Sequence, residues 1–269
     1  ALDKTVPGAE MFKQIMRDGR MVRLPKPFTY VVSPFTDERR DLRSLLLVFY
    51  DNAGEQFLPA ERGESTVSDD TDSTQHLASS SAIFFLYDPA SNVRFRKMIT
   101  GKQDPQLTDE RFLKLNRQDN IIAEMRNRIK SELFIDANDR IDTPLAMIIG
   151  KCDLWANLLE TPLLNPVTNA GLDLDAIALN STNIRNFLLT TSPGVVGSAE
   201  SISHQVVYFP VSPIGHSPQT FVPPGGTEER IGPVPGLVDP RFPEVPVLWN
   251  LARLRPELIK TCRGEAVRC

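Results

Sequence analysis

The chain has 269 residues, a net charge of −4 from 30 Lys and Arg against 34 Asp and Glu, and 41% hydrophobic residues. That length admits one large domain or two small ones. The slight acidity disfavours a nucleic-acid partner, whose surface is marked by basic excess, and the apolar content excludes disorder throughout. The longest apolar runs, Leu45–Tyr50 and Ala82–Tyr87, are far short of the roughly 20 residues that cross a bilayer. No membrane association and no apolar leader segment are expected. The three cysteines, Cys152, Cys262 and Cys269, lack CxxC spacing, which argues against a disulfide framework or a zinc site and makes the cytoplasm the expected location. His76, His204 and His216 are scattered, so no His-rich metal site is expected.

In chain order, Met11, Phe12, Ile15 and Met16 lie at helical spacing, which predicts a helix over 8–18 closed by Gly19. Phe28–Val32 reads as a strand ending at Pro34, and Asp37–Arg43 as a charged turn. Leu45–Tyr50 is continuously apolar and predicts a strand buried on both faces of a parallel sheet. Residues 58–75 read as a mobile polar loop. Ala82–Tyr87 is a second buried strand, Asp119–Leu133 a helix capped by Asp119, and Leu145–Ile149 a third buried strand. Leu174–Leu189 reads as a helix and Val206–Phe209 as a fourth buried strand. Nine prolines in 213–246 exclude regular helix and central strand and predict a long surface loop. A closing helix over 247–260 and a frayed tail from Thr261 complete a single domain, 1–269. Buried strands alternating with helices imply an α/β fold with a mainly parallel central sheet between helical layers. Ligands in such sheets bind beyond the carboxyl ends of the strands.

Three strand ends carry chemistry. Asp51-Asn52-Ala53-Gly54-Glu55 follows LLLVFY, Gly150-Lys151-Cys152-Asp153 follows LAMII, and Pro210-Val211-Ser212-Pro213 follows VVYF. In this order they resemble the third, fourth and fifth motifs of GTPases of the Ras-like, translation-factor-related class. DNAGEQF, the later HLASSSAIFFLYDP, FPVSPIG and EVPVLWNLARL look like the bacterial double-GTPase families associated with conflict systems. The resemblance implies a three-layer P-loop GTPase-like domain that binds GTP with Mg2+. Asp51 would hold magnesium, which neutralises charge on the β- and γ-phosphates. Gly54 would let its N–H approach the γ-phosphate, where a side chain would clash. Lys151 would pack along the base, and Asp153 would accept from the guanine N1–H and amine; adenine would leave those lone pairs unpaired. The Ser212 turn would present a backbone N–H to the guanine carbonyl. Glu55 would orient water or be a plain surface residue, with Gln56 one step further on.

The pattern also has gaps. GxxxxGK[ST] is absent: Gly101-Lys102 and Gly150-Lys151 are followed by Gln and Cys. Without that cradle phosphate affinity is expected to be poor. A sheet without its first, interior strand would leave unpaired backbone and a void. The chain is therefore expected to be an N-terminally truncated fragment, or else a degenerate relative in which something replaces the strand. Gly150 stands where Asn or Thr is usual, and Thr29 and Thr5 are unconvincing candidates for the second-motif Thr. Trp155 is expected to pack rather than meet the base, Trp249 to be core or interface, Cys152 to be buried rather than reactive, and Arg94, Arg96 and Lys97 to form a solvated turn. Two functions remain: a guanine-nucleotide switch or slow GTPase, and a pseudo-GTPase acting as an interaction module for a protein partner. A non-GTPase α/β enzyme ranks last, since GxSxG, HExxH and Cys-His pairing are absent.

Overall fold

The computed structural model describes residues 12–17, 20–25, 27–33, 44–52, 57, 70–99, 104–108, 118–222, 227–264 and 267–268. The chain divides into two compact units, 1–80 with 127–135 and 81–126 with 136–269. Gly54, Glu55, Gln56, Thr5, the charged turn 37–43 and residues 58–69 of the polar loop lie outside the described residues.

The first unit holds two antiparallel hairpins. Strand β1 (Phe12–Arg17) pairs with β2 (Arg20–Pro25), the register running from Phe12↔Pro25 to Arg17↔Arg20. Over its described residues, 12–17, the helix expected over 8–18 is a strand. The helical spacing of a few apolar residues competed with Asp18-Gly19, a dipeptide that favours a tight hairpin, and the hairpin prevailed. Strand β3 (Pro27–Val32) pairs with β4 (Leu45–Tyr50), from Pro27↔Tyr50 to Val32↔Leu45. LLLVFY is therefore a strand, but its described partner is antiparallel and it is not buried on both faces. Its residues alternate between half-buried and exposed, with Leu46, Val48 and Tyr50 outward. A short apolar run does not by itself distinguish a parallel core strand from a hairpin arm. Helix α1 (Asp70–Ala78) occupies part of the stretch expected to be loop. It brings His76 onto the Tyr50 ring, with centroids 4.8 Å apart and planes 19° apart. The Arg128 guanidinium lies over the ring of buried Phe57, 5.5 Å from its centroid.

The second unit is built on a parallel sheet of order β10-β6-β5. Its strands are β5 (Ile83–Tyr87), β6 (Leu145–Ile149) and β10 (Val206–Pro210). The register aligns Ile83, Leu145 and Val206 at one end and Tyr87, Ile149 and Pro210 at the other. Pleat alternation puts Tyr87 and Tyr208 on one face and Ala146 and Phe209 on the other. Between β5 and β6 lie α2 (Val93–Met98), α3 (Pro105–Thr108) and α4 (Gln118–Glu132), the last running into the first unit's residues. Asp119 lies inside the first turn of α4 rather than at the cap, where its charge still complements the helix dipole. Arg96 is not a solvated turn residue: its guanidinium donates to the carbonyls of Ala90 and Leu107, both at 2.6 Å.

After β6 come the short helix α5 (Cys152–Trp155) and the small strands β7 (Leu164–Asn165), β8 (Val167–Thr168) and β9 (Gly171–Asp173). Helix α6 (Leu174–Thr191) is capped by Asp173, whose carboxylate accepts from the Asp175 and Ala176 N–H groups. Helix α7 (Pro193–Ile202) starts on Pro193, whose missing N–H costs nothing at a first helical position. Ser181 Oγ accepts the Tyr208 N–H at 3.0 Å, so a helix covers the β10 edge. The opposite face packs Phe209 edge-on to Trp249 of helix α8 (Val245–Leu254), 5.6 Å between centroids. Arg255-Pro256 follows α8, which accounts for its end before residue 260. Within the Pro-rich segment, β11 (Gln219–Phe221) pairs antiparallel with β12 (Arg230–Gly232). The tail is not frayed. Strand β13 (Thr261–Cys262) pairs with β9, and β14 (Val267–Arg268) pairs with β7. Among the described residues no helix is long and apolar enough to cross a membrane.

Two polar ties fasten the helical corner to the sheet. Tyr87 Oη and Ser192 Oγ share a buried hydrogen bond of 2.7 Å, and burial pushes the Tyr87 phenol up to about 12. Glu200 receives Arg185 through two hydrogen bonds and accepts from the Tyr208 hydroxyl at 3.2 Å. The Arg185 guanidinium holds the Glu200 carboxyl below its ordinary range. A lowered folded-state value stabilises above the unfolded value of about 4.3 and is lost as pH falls through the folded one. Glu200→Gln is therefore expected to cost about 1 kcal/mol at pH 7, with the difference from wild type vanishing in acid. Urea unfolding at a series of pH values measures it.

Candidate functional site

The carboxyl ends of β5, β6 and β10 form one edge, and three loops leave it side by side. Backbone hydrogen bonds fix them. The Gly150 N–H donates to Tyr87 O at 2.8 Å, Val211 N–H to Ile149 O at 2.9 Å, and Cys152 N–H to Val211 O at 3.2 Å. Lys151 sits between these bonds with φ +55, the left-handed region, ahead of the single turn of α5. Trp155 is fully buried below the loop. Its indole N–H donates to Gly150 O at 2.8 Å, and its ring stacks on Phe187 with centroids 5.8 Å and planes 13° apart. It packs, as the sequence suggested, and it also braces the loop. Trp249 lies in the core against Phe209. Cys152 is buried, and desolvation pushes its thiol up to about 12, which makes it a poor nucleophile.

Asp153 is half-buried in the first turn of α5, and among the described residues its carboxylate has no hydrogen-bond or ion-pair partner. Lys151 Nζ lies 3.1 Å from Asp88 Oδ2 and 3.7 Å from Asp104 Oδ2. Ser212 is buried, and its N–H donates to Arg241 O at 3.0 Å while Arg241 N–H returns to Ser212 O at 2.8 Å. The Ser212 hydroxyl accepts the Gly215 N–H at 3.0 Å. Pro213 has no N–H to offer. The edge thus gathers Lys151, Asp153 and Ser212. Asp51 stands exposed at the end of β4 in the first unit. Among the described residues no group of three or more His, Cys, Asp or Glu is placed to hold a metal.

Asp88, Asp104 and Arg241 were not singled out as site residues. Asp88 directly follows a buried parallel strand, as the other edge residues do, so the sequence carries a signal for it. Asp104 and Arg241 lie far in sequence from the residues they meet, and no local pattern marks them.

The loop after Ser212 requires glycine at 215. Its φ is +79, and an added Cβ would come within 1.8 Å of Asp239 O. Gly215→Ala is expected to cost more than about 2 kcal/mol, whereas Gly236→Ala, with nothing within 4 Å, should stay within about 0.5 kcal/mol of wild type. Denaturant midpoints of the two variants check the contrast.

No protein family profile, no curated protein and no solved structure matches this chain.

Proposed function

We propose that this chain is a guanine-nucleotide-binding module of the P-loop GTPase type, akin to the bacterial double-GTPase families, with the base read by the Lys151–Asp153 loop. One observation carries the proposal: the Asp153 carboxylate is unengaged among the described residues, at an edge where the loops after β6 and β10 are hydrogen-bonded together. A carboxylate so placed suits the paired N–H donors of guanine and would be left unpaired by adenine. The stem of Lys151 would flank the ring. Asp51 would hold Mg2+, whose charge offsets that of the phosphates, Gly54 would approach the γ-phosphate, and Glu55 would orient water. The activity would be slow GTP hydrolysis in the cytoplasm.

A second reading is supported by the same edge. The Ser212 N–H is already bonded to Arg241, Pro213 lacks one, and Gly150 replaces the amide side chain of the resembled motif. These favour a pseudo-GTPase that keeps the loops as scaffold and meets a protein partner. Its surface would include the Pro-rich segment, where Val222, Ile231, Leu237 and Val238 are exposed.

Equilibrium binding of the monophosphates of guanosine, adenosine and xanthosine tests the choice. The guanine reading predicts at least about tenfold preference for guanosine over adenosine, and a shift toward xanthosine in Asp153→Asn. Equal, weak binding of all three by folded protein overturns it in favour of the interaction module.

A further inference from the structure

Asp104 precedes α3, and its side chain is 1% exposed. An enclosed carboxylate is expensive unless charge and hydrogen bonds compensate it. Lys151 Nζ stands 3.7 Å from it. The same ammonium is 3.1 Å from Asp88, which is itself fixed: its N–H donates to Gln118 Oε1 at 2.8 Å and its Oδ1 accepts the Ala90 N–H at 2.9 Å. Lys151 leaves β6 in a left-handed backbone conformation held by the neighbouring Gly150 and Cys152 hydrogen bonds. Its root is thus fixed beside β6 and its tip beside β5. The four-carbon stem has to run across the ends of these two strands.

We propose that Asp104, together with Asp88, is a positioning residue for ligand recognition at this edge. The two carboxylates hold the Lys151 stem extended, as a ready apolar rail for a planar purine. The inference rests on the guanine reading of the Asp153 loop and adds to it where the specificity of that loop is set up. Ordering a long, rotamer-rich side chain on binding weakens affinity; a stem pinned beforehand avoids that loss. The pin also ties the 104–108 segment and the turn after β5 to the candidate site, so that ligand contact and the order of those segments become linked.

The test uses the whole chain, guanosine as probe, and the variants Asp104→Asn and Asp88→Asn. The second keeps the oxygen that accepts from Ala90 and removes a half-buried charge, so it should fold even where the first does not. Guanosine affinity is expected to fall about five- to tenfold in each folded variant, and the Lys151 ammonium resonance should lose protection from exchange. Wild-type affinity in both folded variants overturns the positioning role while leaving the guanine reading intact. If wild type binds no guanosine, the guanine reading fails, and the pin is judged by the Lys151–Asp153 amide and Trp155 indole resonances. Displacement of these signals in Asp88→Asn upholds it, and unmoved signals overturn it.

Discussion

Parallel pairing of Leu145–Ile149 with a strand on each side is the constraint from which the second unit follows. A parallel ladder brings like ends together, so Tyr87, Ile149 and Pro210 finish at one edge, and every loop leaving that edge starts beside the others. Both faces of the central strand must then be covered. Helices α6 and α7 meet one face through Tyr87 and Tyr208, and α8 meets the other through Trp249. Hydrogen bonds then connect the edge loops: Cys152 to Val211, Gly150 to Tyr87, and Trp155 back to Gly150. The candidate site is a consequence of this ladder, and no single motif residue creates it.

Charge at the edge is distributed unevenly. Lys151 is committed to Asp88 and Asp104, while the Asp153 carboxylate, two residues on, has no hydrogen-bond or ion-pair partner among the described residues. The buried Cys152 stands between these two half-buried residues in sequence. Ser212 and Arg241 close the far side by exchanging backbone hydrogen bonds, which stiffens the edge and withdraws a donor that a nucleobase would use. A base bound here would therefore depend on Asp153 and the Lys151 stem more than on the β10 loop.

What the sequence made legible follows from how local each signal is. LAMII, AIFFLY and VVYF are short, apolar and bounded by turn chemistry, and all three are strands of the parallel sheet. LLLVFY carries the same local signal but became a hairpin arm, because the choice between parallel and antiparallel pairing depends on a partner distant in sequence. FKQIMR is a strand even though its apolar residues fit a helical stripe; six residues are too few for periodicity to outweigh an Asp-Gly link. Trp155 and Cys152 are buried, as their position beside a buried strand implies, since large or soft side chains there are usually buried. The pairing of Lys151 with Asp104 was not legible. It requires the chain between β5 and β6 to fold back to the sheet edge, and neither spacing nor composition encodes that return. The tail's pairing with β7 and β9 has the same origin.

The central claim, that this edge reads guanine through Asp153, is tested most directly by mapping backbone amide shifts of the isotopically labelled chain during titration with guanosine and, separately, adenosine. The account predicts saturable shifts at Lys151, Cys152 and Asp153 with guanosine and at most weak shifts there with adenosine. Indistinguishable shifts from the two nucleosides, or shifts confined to residues away from the β6 and β10 loops, would contradict it.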